Sequence, residues 1–258
     1  MDSATYHRFW AKTPPGNTSG EEFHLLPYHN LDVAAVGEHL LRQDSLLRSR
    51  LAERLQLGEE ETIVVIRTLL ALHDLGKFSE RFQSLSPEVA KTLGAPLTDR
   101  DYVVRHDTLG FEAWRDHLFP ALWEEDILGL ESRHKDRWDW EEYFDVLMRP
   151  VTGHHGSPPL PKKVAEVGPQ FCGQSEQAAI DFAMEVGQLL YAESALDGWD
   201  YRRVETARQA SWLLAGLVVA ADWLGSDMDK FEYETDPMPL RSYWDKRARP
   251  QAKEALAG

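Results

Sequence analysis

The stretch Leu69–Phe78, LLALHDLGKF, sets an adjacent histidine and aspartate, His73 and Asp74, at the end of an apolar run that begins at Ile63. Apolar residues recur there at helical spacing, Ile66 to Leu70 to His73 or Asp74, so both polar groups lie over the stripe that faces the core. A carboxylate beside an imidazole away from water costs on the order of several kcal/mol unless it is paired or bound to metal. The pair alone leaves both readings open, a salt bridge and a metal site. Gly76 is expected to stop the helix as a left-handed residue, and Lys77 to place a cation near the helix C-terminus.

Other polar residues point the same way. From Tyr28 the positions His29, Asp32, Val33, Val36 and Leu40 repeat at three and four residues, so His29 heads the inner face of a helix, where a lone histidine is ordinarily a satisfied core residue. His106 opens the next helical pattern, Leu109, Phe111, Trp114 and Leu118, at a position suited to lining a pocket or capping a helix. The apolar segment FDVLMRPVTG leads into His154 and His155, which Gly153 and Gly156 frame. Glycine permits the tight turns that aim two rings into one cavity. In LLAGLVVAADWLGS, Asp222 falls on the buried side of a helix with no basic residue within a turn, so its partner must come from elsewhere.

The rest of the chain bounds the class. Its 258 residues are 43% hydrophobic, enough for a sizeable core. With 43 acidic against 28 basic residues the net charge is -15, so attraction to nucleic acid by the whole molecule is not expected and any such contact needs a local basic patch or metal ions. One cysteine, Cys172, reads as ordinary packing in a reducing compartment, and no secretory signal or membrane span is evident. A soluble cytoplasmic protein is expected. Residues 1–20 read as an irregular lead-in from which Trp10 packs back on the core, Trp212–Leu224 as a buried helix, and the polar, Pro-rich residues 231–258 as a linker. His134 sits among charges and reads as a solvated face, and Lys162–Lys163 form a compact basic pair that flanks a polyanion groove or a solvated loop. No repeat, heptad run or useful strand alternation is present, so the fold class is all-α.

Counted together, His29, His73, Asp74, His106, His154, His155 and Asp222 can hold two cations with Asp74 bridging, and an imidazole-rich donor set favours Mn, Fe, Co, Ni or Zn over Mg. Two such ions suit phosphoester hydrolysis. The order His, His-Asp, His, His-His, Asp resembles the HD superfamily of metal-dependent phosphohydrolases. YHNLDVAAVGEHLL, LLALHDLGKFSERFQ, VTGHHG and LAGLVVAADWLGSD resemble the HD nuclease domain of the CRISPR-associated helicase-nuclease of type I systems, over roughly residues 7–247.

That resemblance implies a concave helical HD domain over residues 21–230. It implies two divalent transition-metal ions, Fe, Mn, Co or Ni rather than Mg or Zn, and cleavage of single-stranded DNA exposed by the Cascade surveillance complex. It assigns one ion to His29, His73, Asp74 and Asp222 and the second to Asp74, His106, His154 and His155. Lys77 is carried over as a contact for phosphate or leaving group, and Ser226 as a further residue lining the site. Family proteins continue into a superfamily 2 helicase, whereas this chain has no GxxxxGK[ST] loop, so a stand-alone subunit or an excised domain is expected, with residues 231–258 leading toward a helicase domain or partner. Two other readings stand beside the nuclease: an HD-type nucleotide phosphohydrolase, and a non-catalytic module that docks a helicase or effector complex.

Overall fold

A computed structural model describes residues 4–14, 16, 20–129, 137–156, 159, 171–191 and 202–257. After a 3₁₀ turn at Thr5–Arg8 come two short strands, β1 (Trp10–Lys12) and β2 (His24–Leu25). The helices follow in order: α1 (Leu26–Gln43), α2 (Ser45–Leu55), α3 (Glu59–Leu70), α4 (Glu80–Gln83), α5 (Pro87–Leu93), α6 (His106–Ala113), α7 (Phe119–Glu124), α8 (Arg137–Thr152), α9 (Gly173–Val186), α10 (Arg202–Gly225), α11 (Leu240–Tyr243) and α12 (Arg249–Ala255). The fold is the expected helical bundle, with, among the described residues, one antiparallel pair in which Trp10 faces Leu25 and Lys12 faces His24.

Helix α1 is the centre of the bundle. Pro27 lies in its first turn, where a missing N–H leaves no hydrogen bond unmade, and every residue from Leu26 to Glu38 is buried. A helix apolar around most of its circumference needs neighbours on several sides, and α1 is covered by α3, α10 and α12, while α10 packs in turn on α8 and α2. Helix α3 opens with Glu59, Glu60 and Glu61, which favour the positive end of the helix, and the Gly58 N–H donates to Glu61 Oε2 at 2.9 Å.

Three expectations are corrected. Residues 4–12 are an ordered part of the core: Tyr6, Phe9 and Trp10 are buried, and the Trp10 N–H donates to Gln83 Oε1. The aromatic content of YHRFW outweighs the Pro/Gly-rich text behind it. The polar tail is likewise built in. Leu240 and Tyr243 are buried, and the Tyr243 hydroxyl donates to Asp32 of α1, whose carboxylate also receives His24 Nε2 at 2.9 Å. Finally, α10 is not buried on all sides, since Trp212 and Trp223 are 87% and 77% exposed. His134, Lys162 and Lys163 lie outside the described residues. No helix among the described residues is long and apolar enough to cross a membrane.

Candidate metal centre

Each candidate side chain is delivered by an element end. His29 stands in the first turn of α1, His73 and Asp74 in the turns that follow α3, and His106 is the first residue of α6. His154 and His155 occupy the turn after α8, and Asp222 the last turn of α10. His29, His73, Asp74, His154 and Asp222 are buried, whereas His155 is exposed.

Two close backbone approaches bring these ends together. Gly76 lies in the 3₁₀ turn Leu75–Phe78 and does not take the expected left-handed conformation. Its smallness serves packing instead, because a Cβ there would meet the His106 carbonyl oxygen at 1.9 Å and the Gly110 nitrogen at 2.7 Å. The start of α6, and with it His106, can therefore lie against the His-Asp turn. At the other end, a Cβ on Gly225 would stand 3.2 Å from the Val33 nitrogen, so the last turn of α10 rests on α1 and holds Asp222 beside His29.

Asp74 divides its two oxygens. Oδ2 lies 3.3 Å from His29 Nε2 and 3.3 Å from His73 Nε2, while Oδ1 lies 3.5 Å from His106 Nε2 and 3.7 Å from His154 Nε2. Asp222 Oδ1 is 3.3 Å from His29 Nε2 and 3.7 Å from His73 Nε2. His155 Nε2 reaches His106 Nε2 at 2.8 Å. Two ligand groups, His29 with His73 and Asp74, and His106 with His154 and His155, each converge tightly enough to hold one cation.

The histidines are turned for ligation. His73 Nδ1 donates to the Leu70 carbonyl at 2.9 Å and His154 Nδ1 to the Val151 carbonyl at 3.1 Å, which turns each Nε2 inward. Tyr102 fixes His106, its hydroxyl accepting from the His106 backbone N–H at 2.6 Å and lying 2.9 Å from Nδ1. His29 Nε2, His73 Nε2, His154 Nε2 and Asp74 Oδ1 have no hydrogen-bond partner despite burial, while Asp74 Oδ2 is paired with the Lys77 ammonium. So many orphaned donor atoms pointing at one space would be costly in a finished core, and they fit a metal.

Charge follows the same logic. Burial holds His29 down to about 4 and His154 to about 3, and it drives His106 well below the usual imidazole range, so these rings present neutral nitrogens. Burial opposes charge on His73 too, but Asp74 and Asp222 outweigh it and push that group up to about 9. Burial would raise Asp74, yet Lys77 and His73 keep it well below the carboxylate range. Lys77, which the sequence sets near a helix end, is buried with Nζ 2.5 Å from Asp74 Oδ2. The Ser226 hydroxyl donates to Asp222 Oδ1 at 3.1 Å.

Three residues near the site escape sequence reading: Tyr102 on His106, Gln83 behind the lysine turn, and Lys12, whose Nζ lies 3.9 Å from Asp222 Oδ1. None belongs to a recognisable metal-ligand spacing.

The family model described as "Cas3, HD domain" matches residues 10–231. The chain belongs to the Cas3 HD-domain family. Among curated proteins it is 28% identical over 242 residues to the CRISPR-associated endonuclease/helicase Cas3 of Escherichia coli strain K12, covering 84% of this chain and 25% of that protein. It is 29% identical over 254 residues to the protein of the same name from Thermus thermophilus, covering 96% and 25%. The chain thus spans about a quarter of the curated relatives it matches. Its fold is that of the Thermus thermophilus Cas3 HD domain solved in the presence of Ni2+, with a TM-score of 0.64 at 24% identity over 98% of this chain and 90% of that one. A chain of a CRISPR RNA-guided surveillance complex in a pre-nicking state has the same fold, with a TM-score of 0.67 at 22% identity over 99% and 29%.

Proposed function

We propose that this Cas3 HD-family chain is a metal-dependent nuclease that hydrolyses phosphodiester bonds of single-stranded DNA in CRISPR interference. The observation that carries the reading is the division of Asp74, with Oδ2 given to His29 and His73 and Oδ1 to His106 and His154. A carboxylate shared in this way suits a pair of cations a few ångströms apart. His29, His73, Asp74 and Asp222 would hold one ion, and Asp74, His106, His154 and His155 the other. The imidazole-rich set favours Mn, Fe, Co or Ni over Mg. Ions of this kind supply an activated water at neutral pH and offset charge on phosphate oxygens.

The chain's own groups do the rest. The carbonyls of Leu70 and Val151 keep His73 and His154 in the ligating tautomer, and Ser226 steadies Asp222. Lys77, beside Asp74, is the group we assign to a phosphate or leaving-group oxygen. Gly153 and Gly156, which flank the histidine pair, also border a surface groove of about 470 Å³ that includes Arg149, Arg208 and the exposed Trp212. An open groove with an exposed aromatic face favours a polymer over a single nucleotide, since bases stack on such faces.

The curated relatives are named endonuclease/helicase, and they are about four times longer than the matched span. We infer that a superfamily 2 helicase, as a further domain or a separate subunit, and a Cascade-type surveillance complex present the strand to this domain. With a net charge of -15, the chain depends on such partners for most of its DNA affinity.

The test is cleavage of circular single-stranded DNA by the purified chain with added Mn, Ni, Co, Fe or Mg, against EDTA and against Asp74→Ala. Metal-dependent cutting lost in the variant is the expected outcome. Turnover of free nucleotides but not of the circle would replace the reading with a nucleotide phosphohydrolase, and silence with every metal would leave a docking module.

A further inference from the structure

Lys12 comes from β1, a strand apart from every motif that marks the centre, yet its ammonium reaches the carboxylate side of that centre. Its Nζ lies 3.9 Å from Asp222 Oδ1, and the side chain is 26% exposed. That separation exceeds a charge-assisted hydrogen bond, so the ammonium keeps its donors for another group. Among the described residues only Lys12 and Lys77 bring a lysine or arginine within 4.0 Å of Asp222 or Asp74, one lysine to each carboxylate.

A single buried side chain sets the two lysines in register. Gln83 Nε2 donates to the Trp10 carbonyl at 3.0 Å and to the Lys77 carbonyl at 2.8 Å, while Oε1 accepts the Trp10 N–H at 3.1 Å. Lys77 Nζ donates in turn to the Ala11 carbonyl at 3.5 Å. The strand that carries Lys12 is therefore clamped to the turn that carries Lys77. Two lysines anchored by one clamp, with Lys12 partly open to solvent, form a receptor for an anion.

We propose that Lys12 contacts a phosphate oxygen of the substrate, paired with Lys77, so that the two lysines grip one phosphodiester group at the metal centre. The inference rests on the phosphodiesterase reading above and extends it to a residue outside the HD motifs. Once Asp222 serves as a ligand, the Lys12 ammonium is free to turn to the phosphate.

The experiment compares wild type, Lys12→Met, Lys12→Arg and Lys253→Met, the last removing an equal charge from an exposed position on α12. Three quantities are read on the metal-loaded proteins: KM and kcat for bis-p-nitrophenyl phosphate, the thermal stabilisation given by inorganic phosphate, and metal affinity by calorimetry. Lys12→Met is expected to raise KM roughly 10-fold with kcat little changed, because the contact is made in both the ground state and the transition state. It should also remove most of the phosphate-induced stabilisation without weakening metal binding. Lys12→Arg should restore both, and Lys253→Met should match wild type. A Lys12→Met protein with the wild-type KM and phosphate response overturns the proposal, as does a loss of metal affinity, which would make Lys12 a support for Asp222. Absence of hydrolysis by wild type would sink the phosphodiesterase reading itself, and the phosphate response would still decide the role of Lys12.

Discussion

Gly76 and His106 touch through their backbones: the His106 carbonyl oxygen lies 1.9 Å from where a side chain on residue 76 would begin. A residue whose only service is to have no side chain thereby sets the distance between the His-Asp turn and the first turn of α6. Gly76→Ala should push α6 outward, cost on the order of 1–3 kcal/mol, and draw His106 away from Asp74. Metal titration should then show one site weakened more than the other. Wild-type stability and stoichiometry in this variant would mean that the contact relaxes without consequence.

Metal removal should be visible without any substrate. The ligands come from α1, the turns after α3, α6, the turn after α8, and α10, so ions at this centre tie together helices that are distant in the chain. Saturating Ni or Mn at about 100 times Kd stabilises by roughly 2.7 kcal/mol, and each kcal/mol moves the Tm of a chain this size by about 2–4 °C. EDTA should reverse the shift, and Asp74→Ala should show little of it. A melting curve indifferent to both metal and chelator would contradict the site.

Trp212 offers a test of polymer binding that leaves the chemistry alone. It is 87% exposed and lines the groove that Gly153 and Gly156 border. Trp212→Ala should weaken single-stranded DNA binding by on the order of 1–3 kcal/mol, the worth of one stacked base, while hydrolysis of a small phosphodiester stays at the wild-type rate. Equal loss on both substrates would mean that the tryptophan supports the fold of the centre.

The burial of the candidate ligands was legible because these residues break a local rule. His73, Asp74 and Asp222 interrupt apolar helical stripes, and His29 heads another, so periodicity alone marks them as buried and in need of partners. Lys12 and Gln83 break no rule: a lysine in a polar lead-in and a glutamine in a short helix look like solvent-facing residues until the strand and the turn are brought together. Gly76 was legible as a special position but not for its reason, since helix termination and close approach both select glycine. The tail misled for a related cause. Its Pro-rich, charged text hides Leu240 and Tyr243, whose burial depends on the facing surface of α1.

Outside the centre, His7 gives a pH dependence of defined sign. Burial holds its imidazole down to about 4, partly offset by its hydrogen bond to the Met238 backbone, whereas an unfolded histidine titrates near 6.5. Between those values the unfolded chain takes up a proton that the folded chain refuses. The stability owed to a neutral His7 is therefore complete above about 6.5, falls as the pH drops toward about 4, and changes no further below that. His7→Gln removes the titration and keeps a side chain able to meet the Tyr28 hydroxyl, which lies 3.3 Å from His7 Nε2. Urea denaturation of both proteins with chelator present, from about pH 7.5 down to about 4.5, should show the variant gaining on wild type as the pH falls. A stability difference that stays flat across that window would contradict a histidine held neutral by burial at this position.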